Sequence, residues 1–266
     1  MFEEATSFLM EPLHAFCLLL LLFTPLEKFF PANPGQKFFR TSWSTDLCFF
    51  LGQQLLWVSF VFMILAHFEQ WVDTLIPSSF RENIANLPFI YQMISVVLLS
   101  DFFIYWAHRL QHRVDFLWKF HSIHHTTEKL DWLASYREHP LDTLYTIGII
   151  NLPAMILGFP LQTIAAFTFF RGIWAIYIHS NIKLPLGPLR YIIGSPQIHH
   201  WHHAKQRDVG NYANLSPLMD IVFGTYYCPN HEPDELGIKE KSAKNYLGHI
   251  LYPFITNSSY KRQSKG

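Results

Sequence analysis

Cysteine is scarce in this chain. Cys17, Cys48 and Cys228 lie far apart among 266 residues, which excludes a C-x-x-C pair, an iron–sulfur run and a disulfide framework. Charge is sparse too, at 15% of residues against about 25% in an ordinary soluble domain. Lys plus Arg and Asp plus Glu each number 20, so the formal net charge is zero. Without a basic surface, no nucleic-acid partner is expected. The sequence also lacks G-x-G-x-x-G, C-x-x-C-H and H-E-x-x-H. It therefore shows no dinucleotide fingerprint, no haem attachment and no metalloprotease signature.

What the chain has in abundance is apolar surface. Half of its residues are hydrophobic, with 25 Phe and 8 Trp, a composition suited to lipid as solvent. Apolar runs fall at about 14–23, 47–68, 87–107, 144–157 and 161–178. The second and third are each roughly 20 residues, enough to cross the hydrocarbon core as a helix. The first is short and is preceded by Glu3, Glu4 and Glu11 with no base, so it reads as a retained anchor rather than a cleaved signal. Gly158-Phe159-Pro160 separates the last two runs. That stop and turn makes them a hairpin, or two short segments that do not fully cross. From Lys183 onward the chain reads as a membrane-associated cap and tail.

Basic residues choose an orientation. Lys28, Lys37 and Arg40 follow the first run, Arg81 alone follows the second, and Arg109, Arg113, Lys119, Lys129 and Arg137 follow the third. Lys183, Arg190, Lys205 and Arg207 follow the hairpin. The positive-inside rule places the first, third and last of these regions in the cytoplasm, and every histidine cluster with them.

Fifteen histidines stand against this low polarity. His108 and His112 are spaced i, i+4. His121, His124 and His125 are spaced i, i+3, i+4, and His199, His202 and His203 repeat that H-x-x-H-H pattern. Such positions share a helix face, so each group is expected to aim its imidazoles at one point. Eight nitrogens exceed the three or four protein ligands of one zinc and suit two metal ions. Imidazole serves iron, zinc, copper and nickel alike, so ligand type does not choose the metal. His139 and His179 each stand where a further ring can complete a coordination shell. His200 lies off the shared face, as a substrate-facing or bracing group. Asp101 sits two turns before His108 and is expected to accept a hydrogen bond from a ligand's other ring nitrogen. Glu138, Asp142, Asp208 and Asp220 are further acceptors. Arg109 and Arg113 read as interfacial anchors, and the isolated His14, His67, His231 and His249 as interfacial or core side chains.

The ordered boxes H-x-x-x-H, H-x-x-H-H and H-x-x-H-H resemble the fatty acid hydroxylase/sterol desaturase superfamily of membrane di-iron enzymes, in its bacterial form. Around them, Asp101-Phe-Phe-Ile-Tyr-Trp-Ala-His-Arg109, Leu117-Trp-Lys-Phe-His-Ser-Ile-His-His125, Arg137-Glu-His-Pro-Leu-Asp142, His179-Ser-Asn181 and Asp220-Ile-Val-Phe-Gly-Thr225 are similar to the family as well. The likeness covers roughly residues 46–227, as a catalytic domain between an N-terminal anchor segment and loop at 1–45 and a C-terminal tail at 228–266. It implies an all-α, multi-pass membrane bundle with a cytoplasmic histidine-rich cap, in a bacterial inner membrane. It implies two iron ions held by His108, His112, His121, His124, His125, His199, His202 and His203, extended to His179, with His139 as a further candidate.

The activity so implied is dioxygen-dependent hydroxylation of an unactivated C–H bond in a lipid, with two electrons. The same site can instead leave a double bond, as a desaturase. The chain carries no redox motif of its own, so an external reductase or a ferredoxin- or cytochrome-like donor is implied. A histidine-based metal transporter is the rival from another class, but transport sites lie near mid-membrane and these clusters flank the apolar runs.

Overall fold

The computed structural model describes residues 2–240 and 242–255, and among these it is helical, with no β-strand. Eleven α-helices follow one another: α1 Phe2–Phe29, α2 Trp43–Gly52, α3 Val58–Asp73, α4 Ser78–Ala85, α5 Phe89–Arg113, α6 Asp115–His121, α7 Pro140–Ile156, α8 Leu161–His179, α9 Pro196–His202, α10 Leu218–Val222 and α11 Tyr246–Ile255. Residues 256–266 of the expected tail lie outside the described residues.

Proline punctuates these starts. Pro140 and Pro196 open α7 and α9, while Pro77, Pro88, Pro160 and Pro217 immediately precede α4, α5, α8 and α10. A fixed φ and a missing N–H cost nothing where the first helical N–H groups have no intrahelical partner. Gly158, at φ 76°, ends α7 in the left-handed conformation, and the amide of Phe159 reaches back to the Ala154 carbonyl at 3.0 Å. That cap makes the tight turn into α8.

Among the described residues, four helices are long and apolar enough to cross a membrane: Met10–Phe29, Trp43–Asp73, Phe89–Arg113 and Leu161–His179. The first is longer than the sequence suggested, because the apolar run continues through Pro25 to Phe29. The second joins α2 to α3 through a π-helical turn at Gln53–Trp57, where one extra residue per turn is accommodated. There Gln53 donates to Thr143 Oγ1 at 2.8 Å, and Trp57 Nε1 donates to Tyr246 Oη at 3.0 Å. Helix α7, at 17 residues, is the short member of the hairpin, and α8 is the one long and apolar enough to cross.

The outward faces are apolar: Leu21 and Phe29 are 72% exposed and Phe169 is 73% exposed. In water such a surface would aggregate; in lipid it is the expected one. Inside, Val61, Leu65, Val96, Ile104, Ile150, Ala154, Ile164 and Phe167 pack α3, α5, α7 and α8 together.

One end of the bundle gathers the C-termini of α1, α5 and α8 and the N-termini of α2 and α7. Glu27 Oε1 near the end of α1 accepts from the amides of Trp132 and Asn181 at 2.8 and 3.0 Å. Arg40 bridges Asp131 and Asp46 at 2.5 and 2.7 Å, and Arg137 meets Asp46 at 2.5 Å. This network is buried, so each charge depends on its partner. The region after Lys183 is more than a cap. Its 213–216 stretch enters the bundle, where the backbone of Leu215 and Ser216 hydrogen-bonds the Asp101 carboxylate.

Candidate metal centre

Helix α5 runs into the gathered end and delivers His108 and His112 from its last turns, one above the other. Val114 breaks the helix with extended φ and ψ, and α6 begins at the next residue. His121 ends α6, and His124 and His125 follow in a 3₁₀ turn. His179 is the last residue of α8. Short helix α9 carries His199 and His202, with His203 at its C-cap.

Nine imidazoles meet here in two buried sets. His108, His112, His121, His125 and His202 form one; His124, His179, His199 and His203 form the other. Within each set the candidate ligand nitrogens all lie within 4.8 Å of one another. The two H-x-x-H-H boxes do not each converge on one point, as their spacing suggested. Each straddles both sets: His124 parts from His121 and His125, and His202 parts from His199 and His203. Adjacent residues on a helical turn point about 100° apart, so neighbouring rings serve different sets.

Hydrogen bonds fix which nitrogen six of the nine rings offer. The Nδ1 atoms of His108, His124, His179 and His202 face the carbonyls of Tyr212, Arg137, Ala175 and Gly210 at 2.8, 3.1, 2.6 and 2.8 Å. His112 Nδ1 faces the Arg207 carbonyl. His121 Nδ1 faces the Asp142 carboxylate at 2.9 Å, which Gln111 also holds at 2.6 Å. A carbonyl only accepts, so Nδ1 carries the hydrogen and Nε2 is left as a bare lone pair.

The Nε2 atoms then face each other. Nε2 of His108 and His121 lie 3.0 Å apart; Nε2 of His179 lies 2.9 Å from both His124 and His199 and 3.3 Å from His203. The Nε2 atoms of His112, His125 and His202 are buried with no hydrogen-bond partner. Where both rings have Nδ1 committed, as in the His108–His121 and His124–His179 pairs, two acceptor lone pairs face each other and cannot bond. Two ligands of one metal at about 2.0–2.1 Å would sit about 2.9–3.4 Å apart, between right-angled and tetrahedral geometry. The donor set therefore fits a pair of metal ions.

The electrostatics agree. Burial, then neighbouring imidazoles, push His121, His125, His199, His202 and His203 well below the ordinary histidine range, and burial lowers His124. The rings are thus neutral, the form that ligates metal. Burial raises the Asp142 and Glu138 carboxyls, while His124 and the Gln111 hydrogen bond pull Asp142 back. Aromatic rings wall the site: Trp118 lies 5.1 and 5.4 Å from the His112 and His125 rings, and Tyr212 lies 5.4 Å from His112.

Three other candidates stand outside the sets. His139 caps α7, its Nδ1 accepting from the Leu141 amide at 3.1 Å while Nε2 donates to the Ile250 carbonyl at 3.2 Å. The His-Pro pair at a helix start was a readable signal for that cap. His200 points off the other side of α9, to Glu232 at 2.7 Å and to the Ser180 carbonyl at 3.1 Å, so it braces the residue after His179 rather than facing substrate. Asp101 accepts no hydrogen bond from His108. Seven residues rise about 10 Å along a helix, beyond carboxylate reach, and Asp101 instead faces Arg171 at 3.5 Å. Arg109 stacks over Tyr105 and Trp106, and Arg113 pairs with Asp208 at 2.8 Å.

Known proteins resemble this chain. The fatty acid hydroxylase family model matches residues 93–225, which contain all nine imidazoles. Ornithine lipid hydroxylase OlsE of Rhizobium tropici is 34% identical over 173 residues, 63% of this chain and 51% of that protein. Alkylglycerol monooxygenase of Homo sapiens is 32% identical over 140 residues, covering 52% of this chain and 31% of its own length. Delta(7)-sterol 5(6)-desaturase ERG3A of Gibberella zeae is 33% identical over 153 residues, 56% and 41% of the two chains. The chain thus spans about half or less of the length of these relatives. No solved structure matches it. With half of its length under the family model and its histidine boxes gathered at the end of a bundle of membrane-length helices, this membrane protein belongs to the fatty acid hydroxylase/sterol desaturase superfamily.

Proposed function

We propose that the chain is a dioxygen-dependent lipid hydroxylase that holds one iron ion in the five-histidine set and a second in the four-histidine set. The observation that carries the reading is the convergence of neutral, buried Nε2 lone pairs, most with their Nδ1 already committed to a carbonyl or carboxylate. An unactivated C–H bond is beyond any side-chain acid or base, and a bound iron pair supplies the oxidising power.

The protein's own part is to hold and shield. Five backbone carbonyls and Asp142 lock six of the nine rings in one tautomer and one orientation, which is how surrounding groups tune a metal site. Trp118, Tyr212 and the closely packed end of the bundle exclude water. The site lies where α5 and α8 leave the apolar zone, so an acyl or sterol-like chain can enter from lipid while electrons come from an external donor on the aqueous side. Basic residues cluster at that end and only Arg81 lies in the opposite loop, which favours a cytoplasmic site. The match to a Rhizobium lipid hydroxylase favours a bacterial inner membrane. Residues 46–227 form the catalytic unit, with α11 from the tail docked on its flank.

Desaturation is the second reading, favoured by the match to a sterol desaturase. Reconstitution with a reduced donor and isotopically labelled dioxygen separates the outcomes. Label in a lipid product one oxygen heavier supports hydroxylation. A product two hydrogens lighter supports desaturation. A hydroxylated product without label contradicts a dioxygen-derived oxygen.

A further inference from the structure

Only one of the six ring acceptors at the site is a side chain, Asp142; the rest are main-chain carbonyls. Two of them, Gly210 and Tyr212, belong to a stretch between α9 and α10 with no regular structure of its own. A carbonyl in a loop aims a ligand only if something holds its peptide plane.

The Asp220 side chain does this directly for Tyr212. It is fully buried. Oδ1 accepts from the Tyr212 amide at 2.8 Å and from Thr225 Oγ1 at 2.7 Å, and Oδ2 accepts from the Ala213 amide at 2.8 Å. The Ala213 N–H and the Tyr212 carbonyl are opposite ends of one planar trans peptide. Gripping the N–H turns the carbonyl the other way, onto His108 Nδ1.

The same device recurs one turn away. The Asn211 N–H and the Gly210 carbonyl share a peptide; the N–H donates to the Thr225 carbonyl at 3.0 Å, and the carbonyl receives His202 Nδ1 at 2.8 Å. Thr225 is itself anchored on Asp220, through its amide to the Asp220 carbonyl at 2.7 Å and its hydroxyl to the carboxylate. Gly210, at φ 108°, lies so close to the Thr225 carbonyl that a β-carbon would collide with it.

We infer that Asp220, acting with Thr225, is a positioning residue for the five-histidine set: it holds two peptide planes whose carbonyls aim His108 and His202. The inference rests on the proposal that the sets bind metal. It concerns that set alone, because none of these bonds reaches His124, His179, His199 or His203.

The test uses the full chain in detergent, loaded with cobalt(II), whose visible spectrum reports ligand geometry, and then challenged with EDTA. Wild type is expected to release metal in two phases, one per set. In Asp220→Asn an amide group replaces one acceptor and faces a donor. One phase is expected to quicken about 10-fold to 100-fold, the range seen when a group that orients a metal ligand is lost. The other phase and the helix content should hold, and the cobalt spectrum should change. Thr225→Val should give a smaller change in the same phase, and Thr225→Ser, which keeps the hydroxyl, should restore wild-type release. If Asp220→Asn does not accumulate as folded protein, the Thr225 pair decides the matter. Identical release in all variants overturns the inference. So does equal acceleration of both phases with a lower melting point of the metal-free chain, which would make Asp220 a general fold residue. A wild type that takes up no metal would instead overturn the metal reading of the site.

Discussion

Replacing His179 by alanine should empty the four-histidine set, while the same change at His139 should leave both sets loaded. His179 Nε2 stands 2.9 Å from His124 and His199 and 3.3 Å from His203, so it is central to a four-ligand group. A structural site of four ligands binds metal with about 10–16 kcal/mol, roughly 3–4 kcal/mol for each ligand. Losing one should therefore weaken binding by about 10²–10³-fold, at 1.4 kcal/mol per factor of ten. His139 is engaged otherwise. Its cap on Leu141 and its bond to the Ile250 carbonyl are each worth about 1 kcal/mol. His139→Ala should lower the melting midpoint by about 4–8 °C at the usual 2–4 °C per kcal/mol for a chain of this size, with its metal intact. The assay is metal per chain by mass spectrometry, alongside thermal unfolding, on both variants and wild type. Full metal in His179→Ala, or equal metal loss in His139→Ala, would refute the assignment of ligands made from geometry.

Other outcomes follow from the same structure. The metal-free protein should lose stability as pH falls below about 6.5, because His121, His125, His199, His202 and His203 have folded-state pKa values lowered by burial and the unfolded chain binds protons first. Thermal unfolding between about pH 7.5 and pH 5 checks this, and a midpoint that rises on acidification contradicts it. Asp46→Ala leaves Arg137 without its 2.5 Å partner and Arg40 without one of two; a broken buried pair costs about 3–5 kcal/mol, so folded yield in detergent should drop sharply. Unchanged yield and melting would show that the network is solvated. Gly52→Ala should loosen α11, since a β-carbon there would meet the Tyr246 hydroxyl; the readout is faster proteolysis after residue 240, and wild-type proteolysis would count against that packing.

The chain showed its membrane-length helices and its clustered histidines plainly, because both are written in side chains: long apolar runs, and imidazole at helical spacing. The division of labour among those histidines was hidden. H-x-x-H-H suggests a common face, yet adjacent residues on a helical turn point about 100° apart, so His124 and His125, like His202 and His203, go to different sets. The acceptors were hidden for a different reason. A carbonyl belongs to every residue, so nothing in the letters Tyr212, Gly210, Arg137 or Ala175 marks them. Asp142 was one of five acid candidates, and only the packing of α7 against α5 selects it. Asp101 misled because an acid in an apolar run reads as functional; its partners, Arg171 and the 213–216 stretch, come from far along the sequence.

Metal analysis of wild-type protein, purified without chelator or polyhistidine tag and assayed in the same preparation for donor-dependent lipid oxidation, bears most directly on the two-iron proposal. The expected result is about two iron ions per chain, the number two imidazole sets can hold, with activity that rises and falls with iron content. A preparation free of transition metal that still oxidises lipid at the full rate would contradict it.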